Sequence, residues 1–154
     1  ELEGADVAVI GAGGAARAVL FALKRMGVAN VALLNRTPIR GAGLLATFGL
    51  RGDALPLDAP LPPVELLINA SPLGMTGQPP LTVDLDPLPE DAVVYDLVYV
   101  PLETELLAAA RKRELATVDG LEMLIGQAAI AFELFFGQPA PREDDAALKE
   151  ILIG

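Results

Sequence analysis

A glycine cluster directly after a short apolar strand is the feature that most constrains the fold of this chain. The run Asp6-Val7-Ala8-Val9-Ile10 is apolar and β-branched, as a buried parallel strand is. It leads straight into Gly11-Ala12-Gly13-Gly14-Ala15-Ala16, and apolar residues at helical spacing follow from Gly14 to Met26, before Gly27. The segment predicts a strand, a glycine turn and a helix, which is the first unit of a doubly wound α/β sheet.

The same alternation continues along the chain. Further strands are predicted at 31–34, 50–54, 66–69, 93–97 and 116–118, and further helices at 39–48, 104–113, 121–136 and 143–153. The prolines of residues 71–90 predict a long surface loop, and loops of that length usually have a function. We expect one domain over residues 1–154, of the α/β class, with a three-layer, Rossmann-type, doubly wound and mainly parallel sheet.

Composition excludes several kinds of function. With Cys 0 and His 0, the chain has no thiol nucleophile, no imidazole acid or base, and no thiolate or imidazole metal ligand, so we predict no metal site. The net charge of -10 opposes binding to nucleic acid or to an anionic membrane. No apolar run reaches the length of about 20 residues that crosses a bilayer, and the first residues lack signal-peptide character, so we expect a cytoplasmic protein.

The chain begins with Glu1 and not with Met, and strand character begins by Asp6. We therefore expect it to be part of a longer protein, divided at a domain boundary.

The glycine turn fits the dinucleotide-binding pattern G-x-G-x-x-G/A. Gly11 allows the tight turn, Gly13 lets the backbone approach a pyrophosphate, and Ala16 permits close packing of helix on strand. The phosphates would lie at the helix N-terminus, against the backbone of Gly11, Ala12, Gly13, Gly14 and Ala15. A plain glycine-rich turn is the alternative, but the strand and helix on either side favour the binding motif.

The residues after the second strand indicate which dinucleotide. An Asp or Glu at that strand end normally accepts hydrogen bonds from the ribose 2′-hydroxyl of NAD. This chain has Asn35 there, followed by Arg36, Thr37 and Arg40, which would attract a 2′-phosphate. Two charge-assisted hydrogen bonds of about 1.5 to 3 kcal/mol each would favour NADP over NAD by roughly a hundredfold or more. We predict NADP as the cofactor; the alternative is that the arginines merely begin an exposed helix.

Five motifs in order resemble the C-terminal NADP-binding domain of shikimate dehydrogenase. They are GAGGAAR, NRTPIR, LLINASPLGM, YDLVYVPLET and DGLEMLIGQAAIAFELFFG, and together they span nearly the whole chain. The resemblance implies hydride transfer between NADPH and 3-dehydroshikimate to give shikimate, on the route to aromatic amino acids. It also implies a separate N-terminal domain that holds most of the substrate and supplies a catalytic Lys and Asp pair, which this chain does not contain.

The resemblance implies cofactor contacts for the residues that match its motifs. Gly11 to Ala15 would line the pyrophosphate, and Asn35 to Arg40 would hold the adenosine ribose and its 2′-phosphate, with Arg36 also against the adenine. Asn69, Ala70 and Ser71 match a turn beside the cofactor, with Ser where Thr is commoner. Leu97 and Gly120 match backbone positions near the nicotinamide.

Two further residues match side chains that reach the substrate, Tyr99 and Gln127. For Tyr99 the alternative is an aromatic at the rim of the sheet.

The helix over 121–136 has two apolar sides. One is expected to pack on the domain's own core and comprises Leu121, Leu124, Ile125, Ala128, Phe132, Phe135 and Phe136.

The second apolar side comprises Met123, Ile130 and Leu134, with Gln127 at its edge. We expect it, with the rest of residues 121–154, to pack toward the missing N-terminal domain, so that exposure of this side in the isolated chain would support the interpretation. The alternative is a fully buried helix whose glutamine bonds to backbone.

We assign no catalytic residue within this chain, because Lys24, Lys112 and Lys149 all lie in surface-type patterns and Asp96 is typical of a strand-end Asp that bonds loop amides. Three alternatives stay open. They are a quinate or shikimate dehydrogenase relative, a non-enzymatic NADP-binding redox sensor, and the glutamyl-tRNA reductase group, which the motifs at Tyr99 and Gln127 disfavour. A monomer and a homodimer are equally compatible with the sequence.

Overall fold

The computed structural model describes residues 2–153; Glu1 and Gly154, which the predicted domain includes, lie outside them. The strands are β1 (Asp6–Ile10), β2 (Asn30–Asn35), β3 (Gly52–Pro56), β4 (Leu66–Asn69), β5 (Val93–Asp96) and β6 (Ala116–Val118). The helices are α1 (Gly14–Met26), α2 (Pro38–Phe48), α3 (Glu105–Lys112), α4 (Gly120–Phe136) and α5 (Asp145–Ile153), the last preceded by a 3-10 turn at Arg142–Asp144.

The strands form one six-stranded sheet in the order β3-β2-β1-β4-β5-β6, and every pairing is parallel. Because β1 lies at the centre, Val7 pairs with Val31 of β2 on one side and with Leu66 of β4 on the other. The chain therefore winds outward in both directions from β1, and the carboxyl ends of β1 and β4 flank the switch point. The predicted doubly wound, mainly parallel sheet is confirmed.

Two apolar cores cover the two faces of the sheet and make the three layers. On one face, Ala16, Leu20 and Leu23 of α1 and Leu44 and Leu45 of α2 pack on the strands. The other face is covered by Leu106, Leu107 and Ala110 of α3 together with buried leucines of the two connections on either side of β4. These leucines are Leu61, Leu81, Leu85 and Leu88. Because both faces of the sheet are covered, the central strands are continuous apolar runs, and Val7 to Ile10 are fully buried.

Most predicted elements lie within two residues of the observed ones. The third strand is the largest shift, from the predicted 50–54 to Gly52–Pro56. The reason is that Leu50 is used to end α2, where its N–H donates to Leu45 O at 2.9 Å after the left-handed Gly49. The predicted loop over 71–90 contains no helix or strand in the described chain.

The prediction that one side of α4 packs on the domain's own core along its whole length is wrong in part. The residues of α4 that are buried are Gly120, Leu121, Ile125 and Ala129. Ala128 is exposed, and Phe135 and Phe136 are 84% and 67% exposed, although both were expected in the core. For Phe135 and Phe136 the physical reason is that the buried residues of α4 end at Ala129, so the wheel position of a later residue no longer decides its burial. Ala128 lies within the buried stretch, one position before the buried Ala129.

No helix within residues 2–153 is both long enough and apolar enough to cross a membrane.

Candidate functional site

A cleft of about 280 Å³ opens at the carboxyl edge of the sheet, beside the switch point. We call it the glycine cleft. Its walls come from the ends of β1, β2 and β4 and from the loop after β4. Its lining residues are Ile10, Gly11, Ala12, Gly13, Asn35, Arg36, Arg40, Leu57, Ala70, Ser71, Pro72, Leu73, Gln78 and Pro79.

A second cleft of about 310 Å³ adjoins it across the start of α1. We call it the methionine cleft. It is lined by Gly13, Gly14, Ala15, Ala70, Ser71, Pro72, Met75, Leu97, Val98 and Met123. The two clefts share Gly13 and the segment Ala70 to Pro72, so together they form one groove that crosses the N-terminus of α1.

The glycines of the turn serve two different purposes. Gly11 has φ +105°, and a Cβ there would lie 3.0 Å from Ala70 O, so this glycine allows the tight turn against the loop after β4. At Gly13 and Gly14 a Cβ would meet no heavy atom within 4 Å, so these residues leave the groove open above the first turn of α1. The N–H groups of that first turn have no intrahelical partner and suit an anion.

Positive charge is concentrated at the far end of the glycine cleft. Arg36 and Arg40 both line it and are exposed, and in the described chain neither forms an ion pair. No Asp or Glu is among the described residues that line this cleft. In a chain of net charge -10, this is a local site suited to an anion.

A buried polar network supports the walls of the groove. Asp96, Asn69 and Thr104 are buried, with exposures of 0%, 0% and 1%. Asn69 Nδ2 donates to Asp96 Oδ1 at 2.9 Å, and Thr104 Oγ1 donates to Asp96 Oδ2 at 2.7 Å. Val98 N also donates to Asp96 Oδ1, at 3.0 Å, so the carboxylate bonds a loop amide as the sequence predicted.

Burial raises the pKa of Asp96 above its ordinary value, while hydrogen bonds from Thr104, Val98 and Asn69 act in the opposite direction. Both carboxylate oxygens are therefore occupied by protein donors. This arrangement makes Asp96 a structural anchor and not a base that faces the groove.

The predicted cofactor residues are brought together at one edge, although several stand behind the groove surface. Asn69 is fully buried, and its Oδ1 accepts from Ser71 N at 3.1 Å and Ser71 Oγ at 2.7 Å. Asn35 lines the glycine cleft and donates from Nδ2 to Thr37 O at 3.0 Å. Thr37 precedes α2 without a side-chain capping bond and does not line either cleft.

Gly120 is explained by packing at the start of α4. A Cβ there would lie 2.5 Å from both Leu97 O and Val98 O, so only glycine lets α4 begin against this segment. Leu97 itself lines the methionine cleft. The predicted backbone role of Leu97 and Gly120 stays a prediction.

Tyr99 and Gln127 lie beyond the methionine cleft and face solvent. Tyr99 is 47% exposed and follows Leu97 by two residues. Gln127 is exposed and lies one helical turn after Met123, which lines the cleft. The alternative of a fully buried helix is wrong, because Ile130 and Leu134 on the same side are 62% and 81% exposed.

Sequence reasoning missed several residues that form the groove walls, chiefly Gln78, Pro79, Met75 and Met123. Gln78 and Met75 lie in the long proline-rich loop, whose length was the only signal of a function for Gln78. Met75 ends the motif LLINASPLGM, but no role was predicted for it. Met123 was placed on the second side of α4 but not in the groove. Within residues 2–153 no group of His, Cys, Asp or Glu could hold a metal ion.

The strand order and the glycine turn at the switch point define the class of this domain as the Rossmann-type, dinucleotide-binding α/β class. Comparison with known proteins narrows the class. Residues 120–146 match the family model described as the shikimate 5′-dehydrogenase C-terminal domain. The chain is 67% identical over 153 residues to a shikimate dehydrogenase (NADP(+)) of Sphingopyxis alaskensis, covering 99% of this chain and 56% of that protein.

Solved structures of the same family of enzymes are also similar to this chain. Shikimate 5-dehydrogenase from Thermus thermophilus, in complex with NADP(H) and shikimate, matches with a TM-score of 0.81 and 38% identity over 97% of this chain and 56% of that chain. Quinate dehydrogenase from Corynebacterium glutamicum, in complex with NAD, matches with a TM-score of 0.81 and 31% identity over the same shares. The predicted resemblance to the C-terminal domain of shikimate dehydrogenase is confirmed, and the chain spans about half the length of the curated relatives it matches.

Proposed function

We propose that this chain is the cofactor-binding half of an NADP-dependent shikimate dehydrogenase. The observation that carries the proposal is the groove itself. It crosses the N-terminus of α1 at open glycines and ends at two arginines that have no acidic partner within the described residues. Curated relatives that are 54 to 67% identical to this chain are called shikimate dehydrogenase (NADP(+)), and these names support the same cofactor and substrate.

The residues present fit NADP along the whole groove. Gly13 and Gly14 leave room for a pyrophosphate at the positive end of the α1 dipole. Arg36 and Arg40 would hold the 2′-phosphate, beside Asn35 where an NAD site would have an acid. The methionine cleft, at the other end, would hold the nicotinamide against Leu97 and Met123.

The chemistry that NADP supplies when bound is reversible hydride transfer, here between NADPH and 3-dehydroshikimate to give shikimate. The part played by this chain is binding and orientation. The apolar walls of the methionine cleft exclude water from one side of the nicotinamide site, and the glycine turn fixes where the phosphates lie.

The proton relay lies outside this chain in our proposal. Lys24 donates to Gly49 O between α2 and β3, at the opposite edge of the sheet, and Lys149 pairs with Glu122. Lys112 is exposed at the end of α3. No lysine in the described part of the chain lines either cleft, and Asp96 is engaged by its own network.

The substrate would lie between this chain and an N-terminal half, which would correspond to the part of the relatives that this chain does not cover. Tyr99 and Gln127, both exposed beyond the methionine cleft, are the side chains through which this half would reach shikimate. The exposed apolar residues of α4 and α5 would pack on the same N-terminal half.

The decisive test is an assay of two proteins, this chain and the full-length gene product. We expect both to bind NADP(H), and only the full-length protein to reduce NADP⁺ with shikimate, because the acid and base come from the other half. Absorbance of NADPH measures turnover, and calorimetric titration measures binding. Appreciable turnover by the chain alone would contradict the division of labour.

Quinate is the second candidate substrate, since the Corynebacterium glutamicum structure named above is a quinate dehydrogenase. The same assay decides between the two when quinate replaces shikimate. If the full-length protein binds NADP⁺ but turns over neither substrate, the chain belongs instead to a non-enzymatic NADP-binding module.

A further inference from the structure

The two walls of the methionine cleft come from different segments of the chain. Leu97 and Val98 follow β5, whereas Ala70, Ser71 and Pro72 follow β4. No side chain that lines the cleft donates a hydrogen bond from one wall to the other in the described chain. The main chains of the two segments are joined directly, by Leu97 N donating to Asn69 O at 3.1 Å and Thr76 N to Val100 O at 2.9 Å. The position of Val98 against Ser71 and Pro72, between these two bonds, depends also on what lies behind the walls.

Asp96 stands behind both walls and bonds to each. Its Oδ1 accepts from Val98 N at 3.0 Å on one side and from Asn69 Nδ2 at 2.9 Å on the other. Asn69 in turn accepts from Ser71 N and Ser71 Oγ, and its Nδ2 donates to Leu73 O at 3.0 Å. One buried carboxylate thus connects the wall after β5 to the wall after β4.

Thr104 completes this network without touching the groove. Its Oγ1 donates to Asp96 Oδ2 at 2.7 Å and accepts from Leu107 N at 3.2 Å in the first turn of α3. Thr104 is 1% exposed, and it lines neither the glycine cleft nor the methionine cleft. The hydroxyl bonds two groups, Asp96 and the first turn of α3, and of these Asp96 is the one that is bonded to both walls of the cleft.

We propose that Thr104 is a positioning residue: by holding Asp96 it fixes the Leu97 and Val98 wall against the Ser71 and Pro72 wall, and so sets the methionine cleft for the nicotinamide end of the dinucleotide. This inference rests on the proposed function. Without the threonine hydroxyl, Oδ2 of a buried carboxylate has no donor, which is costly, so the carboxylate moves toward another donor or water. Both walls bonded to Oδ1 move with it.

The test compares a whole dinucleotide with its adenylate end. The chain is titrated with NADPH and with 2′,5′-ADP, which keeps the phosphates for the arginine end but has no nicotinamide. Thr104→Val keeps the side-chain shape and removes the hydroxyl. We expect it to weaken NADPH binding about fivefold or more, while 2′,5′-ADP binding changes less than about twofold. Thr104→Ser keeps the hydroxyl, and we expect it to bind both ligands as the unsubstituted chain does.

The matched control is Thr117→Val, a half-buried threonine in β6 that lines neither cleft, which we expect to change neither dissociation constant. Thermal unfolding of each variant checks that it is folded. If Thr104→Val does not fold, Asp96→Asn is the second variant. It keeps the shape and removes the charge that holds the donors, and we expect the same selective loss of NADPH.

Three results would overturn the inference. They are equal weakening of both ligands in a folded variant, NADPH binding that is unchanged by loss of the hydroxyl, and an unsubstituted chain that binds NADPH no better than 2′,5′-ADP. In the last case the methionine cleft contributes nothing to binding the nicotinamide, although Arg36 and Arg40 still bind the adenylate end. A chain that binds neither ligand contradicts the proposed function itself.

Discussion

Arg36 and Arg40 are the residues on which the preference between the two nicotinamide cofactors depends. They line the glycine cleft, are exposed, and have no ion-pair partner within residues 2–153. An arginine without a carboxylate partner is free to bind a phosphate through its planar, multi-donor head. The charge difference between the cofactors is the 2′-phosphate, so these side chains should discriminate by that group alone.

Arg36→Ala tests this at the level of one residue. Loss of one charge-assisted hydrogen bond of about 1.5 to 3 kcal/mol should lower the preference for NADP over NAD by about ten- to a hundredfold. Both dissociation constants are measured by titration. Any contact of Arg36 with the adenine contributes equally to both cofactors, so it cancels in the ratio of the two constants. Arg51→Ala is the control, an exposed arginine just before β3 at the opposite edge of the sheet. Equal affinity of the unsubstituted chain for both cofactors would refute the assignment.

The arginines also show how much of the candidate site can be predicted from single residues of the sequence. Their charge, and the Asn35 that replaces an acid, are evident from the sequence, and the structure places all three in one cleft. The positioning role that we propose for Thr104 is not evident from the sequence. It lies eight residues from Asp96, and only the fold brings its hydroxyl to the carboxylate.

The turn between β1 and α1 is the element that joins the fold to the candidate site. Gly11 faces the loop after β4, and Gly13, with φ −95°, faces the open groove that both clefts share. The same short motif thus contains one glycine needed for folding and one that leaves space for a ligand.

Replacing each glycine by alanine should separate these two needs. Gly11→Ala should lower the free energy of unfolding by about 1 to 3 kcal/mol, because φ +105° is strained for an L residue and the Cβ meets Ala70 O. Gly13→Ala should change that free energy by less than about 0.5 kcal/mol, since its Cβ enters open space. It should nevertheless weaken NADP binding, because the methyl group would occupy the place that we propose for the pyrophosphate.

Urea unfolding and cofactor titration of both variants measure the two effects, and each variant is the control for the other. Undiminished NADP binding by Gly13→Ala would mean that the phosphates do not cross the turn at this point. A Gly11→Ala chain as stable as the unsubstituted one would remove the structural role of that glycine.

Helix α4 is the element whose sequence pattern was least sufficient. Its apolar residues occupy two sides, and a helical wheel assigns burial to one of them along the full length. In the structure Leu121, Ile125 and Ala129 are buried at four-residue spacing, and no later residue of α4 is. A wheel gives direction but not the length of the surface beneath, which is a tertiary property.

At the scale of the whole molecule, the described chain leaves large apolar side chains uncovered on both sides of the second half of α4 and on α5. Ile130, Leu134, Phe135 and Phe136 of α4 are more than half exposed, as are Ile151 and Leu152 of α5. An uncovered apolar surface of this kind usually marks an interaction site. In our proposal these side chains pack on the part of the full-length protein that corresponds to the half of the curated relatives not covered by this chain.

Ile130→Gln together with Leu134→Gln tests that arrangement. In this chain the pair should leave the thermal midpoint nearly unchanged, because both side chains are already 62% and 81% exposed. In the full-length protein the same pair should destabilise by about 2 to 4 kcal/mol, the transfer free energy of two apolar side chains that become buried.

The control is Ile39→Gln, in the first turn of α2, where the side chain is 79% exposed; we expect little effect in either protein. The interface would be ruled out if the double substitution destabilised the chain and the full-length protein equally, or neither of them.

The sequence by itself determined the order of strands and helices, the glycine turn and the charge beside the second strand. Each of these depends on residues close together in the chain, so periodicity and spacing were sufficient. Only the tertiary structure decided that Asn69 meets Asp96 across 27 residues, that Gln78 and Met123 form walls of one groove, and that half of α4 stays uncovered. These depend on which strand ends become neighbours and where the core stops, and no local pattern contains that information.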